Sequence, residues 1–173
     1  MELEQRNAYL LLGTNLGDRA KNLNTAIAFI EEEIGAIFAK SSVYETAAWG
    51  KTDQPGFLNQ AVGLRSGLEP LPLLKLLLAI EQKMGRVRLE RWGERLIDID
   101  IIFYGEAIIL DSSDLILPHP EMHKRRFVLE PLNEIAENFI HPIFKEKVSS
   151  ILSNLSDELT VEKLTKYNDD QPS

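Results

Sequence analysis

The chain predicts an α+β fold: a ferredoxin-like βαββαβ core, mainly antiparallel, with two helices packed on one face of the sheet and a helical appendage at the C-terminus. Three observations carry that expectation. Short apolar runs of strand length end at glycine or in turn-rich segments, as in Ala8 to Leu12 before Gly13. Two longer segments repeat their apolar residues at helical spacing. Strand-like and helix-like segments follow one another as strand, helix, strand, strand, helix, strand, and this order suits a split βαβ arrangement.

Taken in order, Ala8 to Leu12 reads as a buried first strand, and Gly13-Thr14-Asn15-Leu16-Gly17-Asp18 as the turn leading to a helix. Leu23, Ile27, Ile30 and Ile34 keep one helical face, and Gly35 is the expected stop. The next strand is expected from Ile37 to Tyr44. Thr46 to Gly56 contains Gly50, Pro55 and Gly56 with little periodicity, so a long loop should precede the strand Phe57 to Leu64. Pro72 suits a first helical turn, and Leu73, Leu76, Leu77, Ile80 and Met84 form its apolar stripe up to Gly85. The polar, basic stretch from Gly85 to Glu94 reads as a second loop able to close over a ligand, feeding a strand around Asp98 and Asp100. Glu106 to Leu110 should pair back on that strand through Gly105. A further helix is expected from Glu121 to Ile135. Beyond Pro142 the pattern weakens to an amphipathic appendage, and Asn168 to Ser173 are expected to be disordered.

The chemistry concentrates around Asp98 and Asp100. Side chains alternate faces along a strand, so Ile97, Ile99, Ile101 and Phe103 should enter a core while both aspartates stand on the other side, roughly 6–7 Å apart. At an effective dielectric near 20 the two charges repel by about 2–3 kcal/mol, which favours a cation beside them. Hard oxygen ligands favour magnesium over zinc. Lys83, Arg86, Arg88, Arg91 and Arg95 lie just upstream, against only Glu90 and Glu94, and Lys124-Arg125-Arg126 form a second basic knot after His119. Eight of the 19 Lys and Arg residues thus fall in two short stretches of a chain whose net charge is −8. Guanidinium forks match phosphate oxygens, and magnesium bridges phosphates while holding only one or two carboxylates, so the combination suggests a polyphosphate substrate.

Composition sets the surrounding bounds. With 44% hydrophobic and 27% charged residues over 173 positions, one soluble domain spanning residues 1–173 is expected. The chain has no cysteine, so disulfides, thiolate metal sites and a cysteine nucleophile are excluded. The first residues lack a basic region leading into an apolar one, and the longest greasy run, Leu71 to Ile80, is interrupted by Pro72 and Lys75. No membrane association and a cytoplasmic location are expected. A pI near 5.0 argues against general nucleic-acid binding. Neither a P-loop nor a Rossmann glycine pattern is present.

Four segments together resemble the 6-hydroxymethyl-7,8-dihydropterin pyrophosphokinase family: GTNLGDR, DQPGFLNQAV, GRVRLERWGERLIDIDI and LPHPEMHKRRFVLEPL. The resemblance runs from about Tyr9 to Ile135. It implies transfer of pyrophosphate from ATP to the pterin hydroxymethyl group, with release of AMP, in folate biosynthesis. It implies that Asp98 and Asp100 bind two magnesium ions and that Arg86 and Arg95 neutralise the transferred group. Arg91 and Trp92 match the closing loop, and Glu81, His119 and Arg125 match ATP-side positions. Phe57 and Phe127 match a pair that stacks on the pterin, while Asn59, Thr46 and the segment from Ala47 to Trp49 match its polar edge. Glu94, Thr14 and Ala47 depart from the commoner proline, serine and proline. The expected partners are ATP and the pterin alone, and the expected state is a monomer. Two rival readings are a pterin- or ATP-binding protein without turnover and a ferredoxin-like RNA-binding module. The latter calls for exposed aromatics within a broad basic face, whereas the basic residues here are confined to loops beside two aspartates.

Overall fold

The computed structural model describes residues 4–46, 56–85, 96–157 and 159–164. The chain order is β1 (Arg6–Thr14), α1 (Arg19–Glu33), β2 (Ile37–Lys40), β3 (Val43–Thr46), β4 (Phe57–Ser66), α2 (Pro70–Gly85), β5 (Asp98–Tyr104), a 3₁₀ turn (Met122–Lys124), α3 (Arg126–Ala136), α4 (Val148–Ser153) and β6 (Val161–Leu164). The sheet runs β5-β1-β4-β3-β6, with β2 also pairing β4, and every pairing is antiparallel. The expected α+β core is present, with β1 and β4 at its centre.

Two cores flank the sheet. Leu10, Leu12, Leu58, Val62 and Leu64 pack under the apolar stripes of α1 (Leu23, Ile27, Ile30) and α2 (Leu73, Leu77, Ile80, Met84). On the opposite face, Tyr9, Leu11, Ala61 and Phe103 pack against Val128, Leu129 and Leu132 of α3 and against Val148 and Ile151 of the α4 region. The two expected helices do share one face. A third helix covers the other, because α3 gathers its apolar residues into a strong stripe of its own.

The turn after β1 explains the first motif locally. Gly17 takes a left-handed conformation (φ 64°), and the Asp18 Oδ1 accepts the Lys21 N–H at 3.1 Å to cap α1. Buried Asn22 donates to the Leu16 carbonyl at 2.8 Å and to Thr14 Oγ1 at 3.1 Å. Thr14 Oγ1 in turn donates to the Leu96 carbonyl at 2.7 Å, which fixes the chain just before β5.

Several expectations are corrected. The strand expected from Ile37 to Tyr44 is two strands, because Ser41 interrupts it: its Oγ accepts the Ala61 N–H at 2.9 Å and donates to the Ser42 carbonyl at 2.7 Å. Phe103 does not share a face with Ile97, Ile99 and Ile101. The β1–β5 register shifts between Tyr9 and Leu10, so a bulge turns Phe103 into the core beneath α3. Glu106 to Leu110 forms no strand on β5, whose outer edge is already used: Ile99 N–H by Glu81, and the Ile102 carbonyl by the His119 N–H. A single bridge links Ile109 to Leu117 instead. The helix expected from Glu121 is a 3₁₀ turn followed by α3, with extended Arg125 between them. The appendage contributes the short α4 and also a strand, β6, which pairs with β3. The two expected loops fall mainly outside the described residues, as does the tail from Asn168.

Candidate functional site

The pairing register builds the candidate site from one row across the sheet. Asp98 lies opposite Gly13, Gly13 opposite Asn59, and Asn59 opposite Tyr44. Residues opposite one another share a face, and this is the α3 face, because the next row joins Asp100 to buried Leu11 and Ala61. Asp98 and Asn59 therefore stand two strand spacings apart, roughly 10 Å, on one surface. Between them Gly13 carries no side chain. A methyl group there would come within 2.8 Å of the Asn59 Nδ2, so the glycine leaves the room that the Asn59 amide occupies.

Asn59 is buried, and among the described residues its amide has one long contact, 3.5 Å to the Leu12 carbonyl. One row further on, Thr46 pairs with Phe57. Phe57 is 41% exposed, so its ring face is open at the start of β4. Thr46 Oγ1 is buried with no hydrogen-bond partner among the described residues. Arg19 Nη1 donates to Glu45 Oε2 at 2.5 Å and to the Gly56 carbonyl at 2.8 Å, tying the end of β3 to the residue before β4.

The α3 side is anchored on this same strand. Glu134 accepts from Tyr44 Oη at 2.6 Å, from the Ser42 N–H at 3.0 Å and from the Ser42 Oγ at 2.8 Å. Burial would raise the Glu134 pKa, but these hydrogen bonds outweigh it and hold the carboxyl below its usual range. Burial first, then Glu134 itself, pushes the Tyr44 phenol up. At the head of α3 stand half-buried Phe127 and exposed Arg125, whose guanidinium lies 5.8 Å from the Phe127 ring centre.

Around β5, Asp98 is half-buried and Asp100 exposed. Glu81 Oε2 accepts the Ile99 N–H at 2.7 Å, which sets the end of α2 against the strand between the two aspartates. The segment with the cis Leu117–Pro118 peptide brings His119 alongside, its N–H bonded to the Ile102 carbonyl at 3.0 Å. Burial lowers the His119 pKa; Asp100 and Glu121 pull it up and Arg125 pushes it down, and the net shift is downward. His119 Nδ1 accepts the Glu121 N–H at 3.2 Å, so the neutral ring carries its proton on Nε2. Among the described residues no group of three His, Cys, Asp or Glu side chains could by itself hold a metal. Two aspartates on one face, with further positions left to water and phosphate oxygens, are the donor set magnesium takes.

The structure thus brings together Glu81, Asp98, Asp100 and His119 at β5, Thr46, Phe57 and Asn59 on β3 and β4, and Arg125 and Phe127 at α3. Ala47, Trp49, Arg86, Arg91, Trp92 and Arg95 lie outside the described residues. Sequence reasoning passed over Gly13 as a spacer and Glu134 as an anchor. A glycine ending an apolar run was the one available signal for the first; nothing local marks the second.

Fold and site define a class: an antiparallel α+β protein that presents a carboxylate pair on an edge strand and, across a glycine gap, an amide beside an open aromatic ring. Residues 9–137 match the family model described as 7,8-dihydro-6-hydroxymethylpterin-pyrophosphokinase, and the chain belongs to that family. It is 44% identical over 149 residues to the 2-amino-4-hydroxy-6-hydroxymethyldihydropteridine pyrophosphokinase of Methylorubrum extorquens, covering 86% of this chain and 92% of that one. It is also 44% identical over 131 residues to the enzyme of the same name from Bacillus subtilis, covering 75% and 78%. A solved structure of wild-type Plasmodium falciparum HPPK-DHPS with pteroate superposes with a TM-score of 0.71 at 20% identity, which shows the shared fold. The match covers 88% of this chain and 43% of that longer one.

Proposed function

We propose that this protein transfers pyrophosphate from ATP to the hydroxymethyl group of 6-hydroxymethyl-7,8-dihydropterin, releasing AMP, in folate biosynthesis. The observation that supports the reading is the Asp98–Gly13–Asn59 row, a carboxylate and a side-chain amide on one face of the sheet with a glycine between them.

On the pterin side, the Asn59 amide offers a donor and an acceptor to the heterocycle's edge, and the buried Thr46 hydroxyl supplies a further polar contact. Phe57 and Phe127 supply the stacking faces. From sequence, the segment from Ala47 to Trp49 completes the edge. On the phosphate side, Asp98 and Asp100 would hold two magnesium ions, which when bound neutralise polyphosphate charge and polarise its oxygens. Neutral His119 donates its Nε2–H to a phosphate oxygen, and Arg125 adds positive charge at the head of α3. Glu81 holds the Asp98–Asp100 stretch in place through the Ile99 N–H and lines the ATP side. Arg86, Arg91, Trp92 and Arg95 complete the ATP side on sequence grounds.

The pterin oxygen attacks the β-phosphorus in line as the bond to the α-phosphate oxygen breaks and AMP leaves. The side chains position the reactants and neutralise charge, and no covalent intermediate on the protein is required. In this reading the chain acts as one domain, a cytoplasmic monomer whose partners are small molecules; no helix among the described residues is long and apolar enough to cross a membrane.

The test is AMP formation from ATP and magnesium with and without 6-hydroxymethyl-7,8-dihydropterin, with Asp98→Ala as control. Pterin-dependent AMP release that disappears in the variant supports the reading. ADP release, or pterin binding without turnover, overturns it.

A further inference from the structure

We propose that Asp157, in the C-terminal appendage, is a positioning residue for the opening turn of α3 and through it for Phe127 and Arg125; this rests on the roles assigned to those two residues above. The first amides of a helix have no partner within it and need outside acceptors. The residue before α3 is Arg125, whose backbone is extended and whose side chain makes no capping hydrogen bond. Pro131, inside α3, has no N–H and so cannot bond back to the Phe127 carbonyl four residues earlier. The turn that carries Phe127 is therefore short of local support on both counts.

Asp157 supplies that support from 31 residues away. Its Oδ2 accepts the Arg126 N–H at 3.0 Å, and its carbonyl accepts from Arg126 Nε and Nη2, each at 3.3 Å. Its Oδ1 accepts the Leu159 N–H at 3.0 Å, which fixes the carboxylate's orientation. Arg126 is held from the other side by Glu130 at 3.0 Å. A carboxylate at a helix N-terminus also meets the positive end of the helix dipole. Just beyond, Val161 pairs with Thr46 and Leu164 with Val43. Asp157 thus holds the turn that bears Phe127, and β6 pairs with the strand that bears Thr46, so the C-terminal appendage fastens two walls of the candidate pterin pocket.

The test measures KM for the pterin and for ATP, and kcat, in the full chain and in Asp157→Ala, Asp157→Asn, Phe127→Ala and Ile151→Val. Amide hydrogen exchange at Arg126 and Leu159 is followed in parallel. Asp157→Ala is expected to raise both KM values about fivefold, the equilibrium change that follows loss of one capping acceptor, with kcat within about twofold. Asn caps as well as Asp, so Asp157→Asn should restore most of the loss. Exchange at Arg126 and Leu159 should quicken in Asp157→Ala. Ile151→Val loosens the same appendage without touching the cap; it should lower Tm and leave both KM values alone. Unchanged KM values in Asp157→Ala beside a raised pterin KM in Phe127→Ala overturn the positioning role and leave the site reading intact. An unchanged pterin KM in Phe127→Ala removes the site reading, and the proposal with it. If Asp157→Ala is insoluble, Asp157→Glu keeps the charge but displaces the acceptor, and the same outcomes apply.

Discussion

Replacing Gly13 by alanine separates the site from the scaffold. The added Cβ would lie 2.8 Å from Asn59 Nδ2, with its next neighbours at 3.9 Å, so one side-chain amide has to move by about 0.6 Å to reach ordinary contact. Little holds that amide, since its contact to the Leu12 carbonyl is 3.5 Å long. Gly13 lies within β1 and is not among the glycines with positive φ, so an alanine fits the backbone and reduces the freedom of the unfolded chain. The two effects nearly cancel, and stability should stay within about 0.5 kcal/mol of the parent, or roughly 2 °C in Tm. Binding should not be spared. If Asn59 reads the pterin edge as proposed, the displaced amide loses a donor and an acceptor bond, each about 1 kcal/mol, which together correspond to about a thirtyfold rise in pterin KM. The KM for ATP should move by less than about twofold, since the methyl's nearest atoms belong to Asn59 and Leu58. AMP release titrated against each substrate, with thermal melts of the same preparations, gives all three numbers. A normal pterin KM in a folded Gly13→Ala protein would falsify the placement of the pterin edge at Asn59.

Other predictions address the metal, the anchor and pH. Asp98→Ala should lower kcat by at least about a thousandfold, and chelation of magnesium should abolish AMP release until the ion is restored; activity persisting in EDTA sinks the metal assignment. Tyr44→Phe removes one of three hydrogen-bond donors to Glu134 and should cost about 1 kcal/mol in urea unfolding, and an unchanged midpoint would show that this anchor is idle. Burial lowers the His141 pKa from 6.5 to about 4, with His123 adding to the shift. Between those values the unfolded chain binds the extra proton, so stability is lost as pH falls through the window, on the order of 2 kcal/mol once solvent screening beside exposed Phe144 is allowed for. His141→Asn can keep an acceptor for the Ile143 and Phe144 N–H groups and should flatten that slope; an equal slope in both proteins would assign the effect elsewhere.

The sequence by itself determined the order of β1, α1, β4, α2 and β5, because strand-length apolar runs, helical stripes and glycine or proline stops are encoded within a few residues of one another. It also marked Asp98 and Asp100 as a pair, since two residues apart on any strand means one face. The tertiary structure alone decided what those aspartates face. The register that puts Gly13 between Asp98 and Asn59 joins three strands far apart in the chain, and no local pattern reports it. The bulge that sends Phe103 to the other core breaks the period-two rule where Ile101, Ile102, Phe103 and Tyr104 are all buried, so an unbroken apolar run does not report which face each takes. Ser41 divides β2 from β3 only because Ala61 stands opposite to bond with it. The cap on α3 comes from Asp157, and the anchor for Tyr44 from Glu134; each is an ordinary exposed acid in the sequence until folding brings its distant partner to it. Periodicity is a local property and could be read directly, whereas pairing between distant segments depends on how all the elements pack, and that is where the pocket is made.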